Sequence, residues 1–331
     1  MSETNQGGNL PAELQNSLGE VAGGWQLKFA KLAVKLVGAT VGQEALRKAG
    51  DELDAFRGRA MVSDALAAAA AKRAASDPAI VDRWMARHID KELTGQENLE
   101  TVTRIAAEEL KRDTGIEEPT ESVSDDWRRK FSSFAEDVSD AEMQRIWGRM
   151  LAGEFKAPGT FSFRTVRLLS ELDVQTAQKF ANFASDRFAE SAVYSPKGRY
   201  STGHELAVSS ELLSLGLVAD RAEQVHRPIN QENGRYFVWG SWWSGMIVSP
   251  IVTQLEIPMI RFTEAGKQLL RLLERPNEAA TIESILLALR GQLGGESVAV
   301  MGPNDVAGVF GSFNIARYLW GSKEDLRRLS S

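Results

Sequence analysis

A chain of 331 residues is long enough for two domains with a well-buried core. Hydrophobic residues make up 43% and charged residues 25%, which excludes wholesale disorder, and a net charge of -6 removes any global electrostatic reason to expect a polyanionic partner. There are no cysteines, so disulfides, thiolate metal sites and cysteine nucleophiles are excluded, and a reducing cytoplasm is the expected setting.

The opening MSETNQGGNLPAELQNSLGE lacks the basic start and apolar run of a signal peptide, and residues 1–24 read as a flexible tail. From Trp25 the pattern turns helical. Trp25, Phe29, Leu32 and Leu36 share one face, and Lys28, Lys31 and Lys35 share another. This amphipathic stretch, 25–41, is followed by an alanine-rich run, ALAAAAAKRAAS, that favours a slender helix with little to bury. Together they form an expected helical region over 25–76.

Asp77-Pro78 suits a helix start, and Ile80, Val81, Trp84, Met85, His88 and Ile89 follow at helical spacing. A break is expected at Thr94-Gly95, then a second helix through Leu99, Val102, Ile105 and Leu110. The acidic stretch TGIEEPTESVSDD reads as an exposed connection. Asp125 or Asp126 is placed to cap a helix carrying Trp127, Phe131 and Phe134. Ser139 and Glu142 have capping-box spacing ahead of Met143, Ile146, Trp147, Met150 and Leu151. Pro158-Gly159 makes a turn, Thr160 or Ser162 caps the next helix, and Asp173 opens another containing Phe180 and Phe183. The helical domain is expected over 77–190.

Past Ser191 the character changes. A helix ending at Gly216 precedes alternating stretches at Arg235–Trp239 and Leu255–Phe262, a helix capped by Thr263, a helix at Thr281–Leu293, a strand at Ser297–Met301 and a short terminal helix. Residues 191–331 thus form an α+β domain with a winged-helix-like order of elements. The fold class is mainly α, with amphipathic and alanine-rich helices, a central helical domain and this C-terminal module.

DDW at Asp125, the Phe131/Phe134 pair, SDAEMQRIWGRMLAGE from Ser139, the turn at Pro158 and FSFRT from Phe161 resemble the bacterial family called domain of unknown function 2806. QENLETV from Gln96 and FTEAGKQLL from Phe262 extend the likeness to roughly Ile80–Leu270, with its specificity in the middle third. The resemblance implies a bacterial, mostly helical protein. It carries no catalytic residues over.

Chemical signatures are sparse. His88, His204 and His226 are isolated, with no metal-ligand spacing, and no phosphate-binding glycine motif occurs. Consecutive acids such as Asp125-Asp126 diverge around a helix and read as caps rather than an acid–base pair. No cofactor, metal or catalytic residue is therefore assigned. The helix HELAVSSELLSLG has two glutamates and no lysine or arginine, which argues against nucleic acid. Trp239, Trp242 and Trp243 read as sheet core before stacking site. Glu154 and Arg164 lack an evident duty, and an ion pair across the Pro158-Gly159 turn would supply one.

The expected function is that of a non-enzymatic interaction protein: a scaffold, sensor or adaptor that binds itself through helices and meets a further protein partner. The alternative is a peripheral membrane effector, for instance in defence against phage or stress. It would meet an anionic bilayer through Trp25, Lys28, Phe29, Lys31, Leu32, Lys35 and Leu36. A DNA-binding regulator is the weakest of the three readings.

Overall fold

The computed structural model describes residues 25–37, 78–113, 119–189, 192–194, 203–219, 225–229, 231–232, 235–250, 255–293, 296–305 and 314–330. The expected tail over 1–24 and the alanine-rich run lie outside them. The chain is mainly α with a C-terminal α+β module: ten α-helices and two antiparallel sheets among the described residues. It divides into two units, 1–170 and 171–331.

In the first unit α1 (Trp25–Val37), α2 (Pro78–Arg112), α3 (Asp125–Ala135), α4 (Ala141–Lys156) and α5 (Phe163–Ser170) follow in order. Leu99, Val102, Ala106 and Leu110 repeat at three- and four-residue steps, so the second half of α2 buries one stripe against α4. From α4, Trp147, Met150 and Leu151 answer it at full burial. The aromatic residues of α3 and α4 meet there: Trp127 stacks on Phe131 at 4.9 Å, and Phe131 lies 5.2 Å from Trp147. The Trp127 indole N–H donates to the Phe161 carbonyl at 2.8 Å and so ties α3 to the turn after α4.

Two expected boundaries differ. The break at Thr94-Gly95 does not exist, because α2 runs unbroken through it. Gly95 lies inside the helix, where a Cβ would make only ordinary contact, 3.4 Å from the Glu136 side chain, and Asn98 donates to the Glu136 carbonyl at 2.8 Å. The caps also shift by one residue. Ser124, not Asp125 or Asp126, caps α3, and Asp140, not Ser139, caps α4 by accepting from the N–H groups of Glu142 and Met143. Neighbouring cap-type residues compete for one position, and spacing alone does not rank them. Ser162 and Asp173 cap as expected.

Gly148 marks the tightest point between α2 and α4. A Cβ there would stand 2.5 Å from Ile105 Cγ2 and 2.8 Å from its Cβ. Ile105 branches at its own helix and cannot swing clear, so Gly148→Ala forces the helices apart. Overpacking of this kind costs about 1–3 kcal/mol, against which alanine's helix propensity returns about 1. We expect a lowered urea midpoint with an unchanged slope.

The second unit holds α6 (Val174–Phe183), a helix that the sequence reading places in the helical domain ending at 190. Phe180 and Phe183 both pack edge-on against Phe262 of this unit, at 5.8 and 6.1 Å. After β1 (Arg187–Phe188), β2 (Ala192–Tyr194) and α7 (Gly203–Ser214), the chain turns at Gly216, whose φ of +74° only glycine adopts readily. The strands β3 (Val225–Ile229), β4 (Gln231–Glu232), β5 (Arg235–Trp239), β6 (Trp243–Val248) and β7 (Leu255–Arg261) lead to α8 (Glu264–Leu270) and α9 (Glu278–Arg290). Then come β8 (Val298–Pro303), β9 (Arg317–Trp320) and α10 (Lys323–Ser330).

One sheet has the order β1-β2-β7-β3 and the other β4-β5-β6-β8-β9. Ile282, Ile285, Leu286 and Leu289 of α9 share one core with residues of both sheets, including Ile257 and Met259 of β7 and Tyr236, Val238 and Ile247 of β5 and β6. Burial alternates along β5, with Tyr236 and Val238 buried and Arg235, Phe237 and Trp239 half-exposed, as period-two geometry requires. Thr263 caps α8 as expected. The helix expected at Thr281 begins three residues earlier, capped by Asn277.

Candidate functional site

The residues proposed for membrane contact divide by face. Phe29, Leu32 and Leu36 are buried in the first unit, and the Phe29 ring meets Phe155 of α4 edge-on at 5.1 Å. Trp25 is half-buried. The helix is fixed by polar contacts as well. Lys28 donates to the Pro119 carbonyl at 2.7 Å, Lys35 lies 3.6 Å from Asp125, and Arg128 and Gln96 donate to the Lys35 and Val37 carbonyls. Lys35, with Arg128, holds the Asp125 carboxyl below its ordinary value. Lys31 is exposed. The apolar face of α1 would thus reach a bilayer only by leaving the core that Phe155 shares. No helix among the described residues is long and apolar enough to cross a membrane.

The expected Glu154–Arg164 ion pair does not form. Arg164 is exposed, whereas Glu154 is 2% exposed and faces the turn backbone. Its Oε1 accepts from the Gly159 N–H at 2.7 Å and its Oε2 from the Phe161 N–H at 2.9 Å. Burial pushes this carboxyl above the ordinary glutamate value, against the N–H groups of Gly159, Phe161 and Thr160 that pull it down. The turn that Pro158-Gly159 begins is closed by a carboxylate from the preceding helix.

A second buried carboxylate does the same in the other unit. Glu278, in the first turn of α9 and 2% exposed, accepts four backbone N–H groups. Oε1 takes Ala189 at 3.0 Å and Ser241 at 2.8 Å; Oε2 takes Trp242 at 2.6 Å and Trp243 at 2.9 Å. It thereby holds the β5–β6 turn and Ala189, whose φ is +51°. Asn304 closes the turn from the far side by donating to the Gly240 carbonyl at 2.9 Å. Sequence reading passes over Glu278, because it starts the helix after it. An acid one residue beyond an Asn cap is the available signal.

Carboxylates saturated by backbone donors cannot take protons from a substrate without dismantling those turns, so both are structural. Of the tryptophans, Trp243 packs against the core, Trp239 stacks on Phe237 at 5.0 Å, and the Arg275 guanidinium sits 5.3 Å from the Trp242 ring. Among the described residues no group of three or more His, Asp or Glu side chains could hold a metal ion. His88 stacks on Trp84 at 5.4 Å; the side chains of His204 and His226 lie outside the described set.

The first half of α2 is exposed, as are single large apolar side chains elsewhere, Phe163 and Leu287 among them. Trp84, Ile89 and Leu93 are 55%, 53% and 54% exposed, while the second half of the same helix is packed against α1, α3 and α4. Around the three lie charges of both signs: Arg83, Arg87 and Lys91, with Asp90, Glu92 and Glu97.

A family described as protein of unknown function (DUF2806) matches residues 82–191, which takes in this exposed stretch, α3, α4 and α5. The match stops short of FTEAGKQLL, to which the sequence likeness extends. No curated protein and no solved structure matches the chain.

Proposed function

We propose that the chain is a non-enzymatic interaction protein, a scaffold, sensor or adaptor, that self-associates through helices. The observation that carries this reading is the first half of α2, where three large apolar side chains stand more than half exposed on one helix. Scattered apolar residues are normal on a protein surface, but Ile89 and Leu93, four residues apart, stand side by side on one face of the helix, while Trp84 lies on the opposite face and stacks on His88. The commitment of Glu154 and Glu278 to backbone supports the non-enzymatic part. The C-terminal module, read as winged-helix-like, then serves protein contact, since GHELAVSSELLS of α7 has no lysine or arginine for phosphate. The cysteine-free composition supports a cytoplasmic setting.

Light scattering on the full chain at micromolar concentration tests this. A mass of twice the 36.4 kDa chain or more is expected, and a lone monomer across the range would overturn self-association.

A further inference from the structure

We infer that the second unit contains a preformed carboxylate-binding cradle, made by the backbone N–H groups of Ala189 and the turn Ser241–Trp243, whose ligand the chain supplies itself as the Glu278 side chain. With that side chain removed, the cradle takes a small free monocarboxylate in its place. The cradle lies within one unit and does not depend on self-association.

The donors match a carboxylate in number and layout. Oε1 receives the N–H groups of Ala189 and Ser241, and Oε2 those of Trp242 and Trp243, all at 2.6–3.0 Å, so a planar anion with two oxygens satisfies the whole set. Three of the donors are consecutive, and successive N–H groups in a turn form a concavity that favours anions. Gly240 leaves the room for one. A Cβ there would stand 2.6 Å from the carboxyl carbon and from Oε1.

The bonds that shape the cradle do not pass through Glu278. The Gly240 N–H donates to the Trp243 carbonyl at 3.0 Å, and Asn304 donates from its backbone to the Trp242 carbonyl and from its side chain to the Gly240 carbonyl, both at 2.9 Å. Each peptide unit is planar and trans, so a carbonyl fixed on one side sets the next N–H on the other. Asn304 thereby aims the Ser241 and Trp243 N–H groups at the site. Ala189 is placed by its neighbours: Phe188 is buried in the core and pairs with Ala192, and the buried Arg187 donates to the Ala184 and Glu274 carbonyls.

Chemical rescue tests this. Glu278→Gly and Glu278→Ala variants of the full chain are unfolded with urea in sodium propionate, acetate or chloride at equal ionic strength, and followed by near-ultraviolet circular dichroism. Propionate has the carbons of the deleted Cβ, Cγ and Cδ, and acetate those of Cγ and Cδ alone. The Gly variant should therefore prefer propionate, and the Ala variant, which keeps its Cβ, should prefer acetate. Above the dissociation constant, each tenfold rise in the matching carboxylate should raise the folded-to-unfolded ratio of the second unit about tenfold. Chloride should not do so, and wild type, with its cradle filled, should show no preference between the two carboxylates.

Variants that respond to each salt as wild type does would overturn the inference, because the donors would then converge only around Glu278 itself. Stabilisation by both carboxylates without the exchange of preference between Gly and Ala variants would mark a general effect of the anions and overturn it too. Where a variant is unfolded in chloride, refolding reads the same equilibrium: the near-ultraviolet signal should return in the matching carboxylate, and its absence at every concentration would sink the cradle.

Discussion

Glu278→Ala is expected to lower the stability of the second unit by on the order of 4 kcal/mol. Four backbone donors converge on this side chain from Ala189 and from the turn Ser241–Trp243. Removing the acceptor strands them behind a side chain that is 2% exposed, at about 1–3 kcal/mol for each donor that water does not reach. The first turn of α9 also loses its acid, worth a few tenths of a kcal/mol more. Since domains are stable by only about 5–15 kcal/mol, such a loss brings the unit near its threshold. The Gln variant separates causes: its single oxygen keeps part of the set while the amide opposes the rest, so its loss should fall between wild type and Ala. Urea denaturation followed by near-ultraviolet circular dichroism, which reports Trp242 and Trp243 beside the clamp, reads both. An Ala variant within about 1 kcal/mol of wild type, the net worth of one ordinary hydrogen bond, would show that the turn stands without its carboxylate.

How far the sequence disclosed this molecule depends on the range of each interaction. Helical stripes such as Leu99–Val102–Ala106 and Trp147–Met150–Leu151 are periodic and local, so they are legible without any partner. The caps at Ser162, Asp173 and Thr263 are equally local. The two clamps differ in this respect. Glu154 finds donors five and seven residues on, close enough that an unexplained acid before Pro158-Gly159 stands out in sequence, though charge alone points to Arg164 as its partner. Glu278 finds its donors 35 to 37 and 89 residues away, and nothing in the local pattern announces them. The expected break at Gly95 fails for a related reason. Glycine reads locally as a helix breaker, but a lone glycine inside a helix costs only about 1 kcal/mol, which the packing of α2 against α1, α3 and α4 outweighs. The exposed half of α2 shows the opposite effect: Trp84 and Ile89 follow a helical apolar pattern in sequence, and only the fold shows that they stand more than half exposed.

Glu154→Ala is expected to cost about 2–3 kcal/mol, since it strands the N–H groups of Gly159 and Phe161 at the turn that carries Phe161 into the core. The titration of this residue gives a second, signed test. Burial holds the folded-state carboxyl above its value in the unfolded chain. Between those two values the folded state binds more protons than the unfolded one. The stability contributed by this group is therefore complete below the unfolded value and is lost as pH rises through the raised one. A glutamine at 154 does not titrate, so its stability lacks this slope. Denaturation of wild type and Glu154→Gln across the range from about pH 4 to pH 7 should show the gap between them shrinking as pH rises. A gap that widens instead would mean that the backbone donors outweigh burial and that the carboxyl titrates below its unfolded value. The Ala variant is the control for the turn itself: it loses the donors' partner at every pH, so it should lie below wild type throughout.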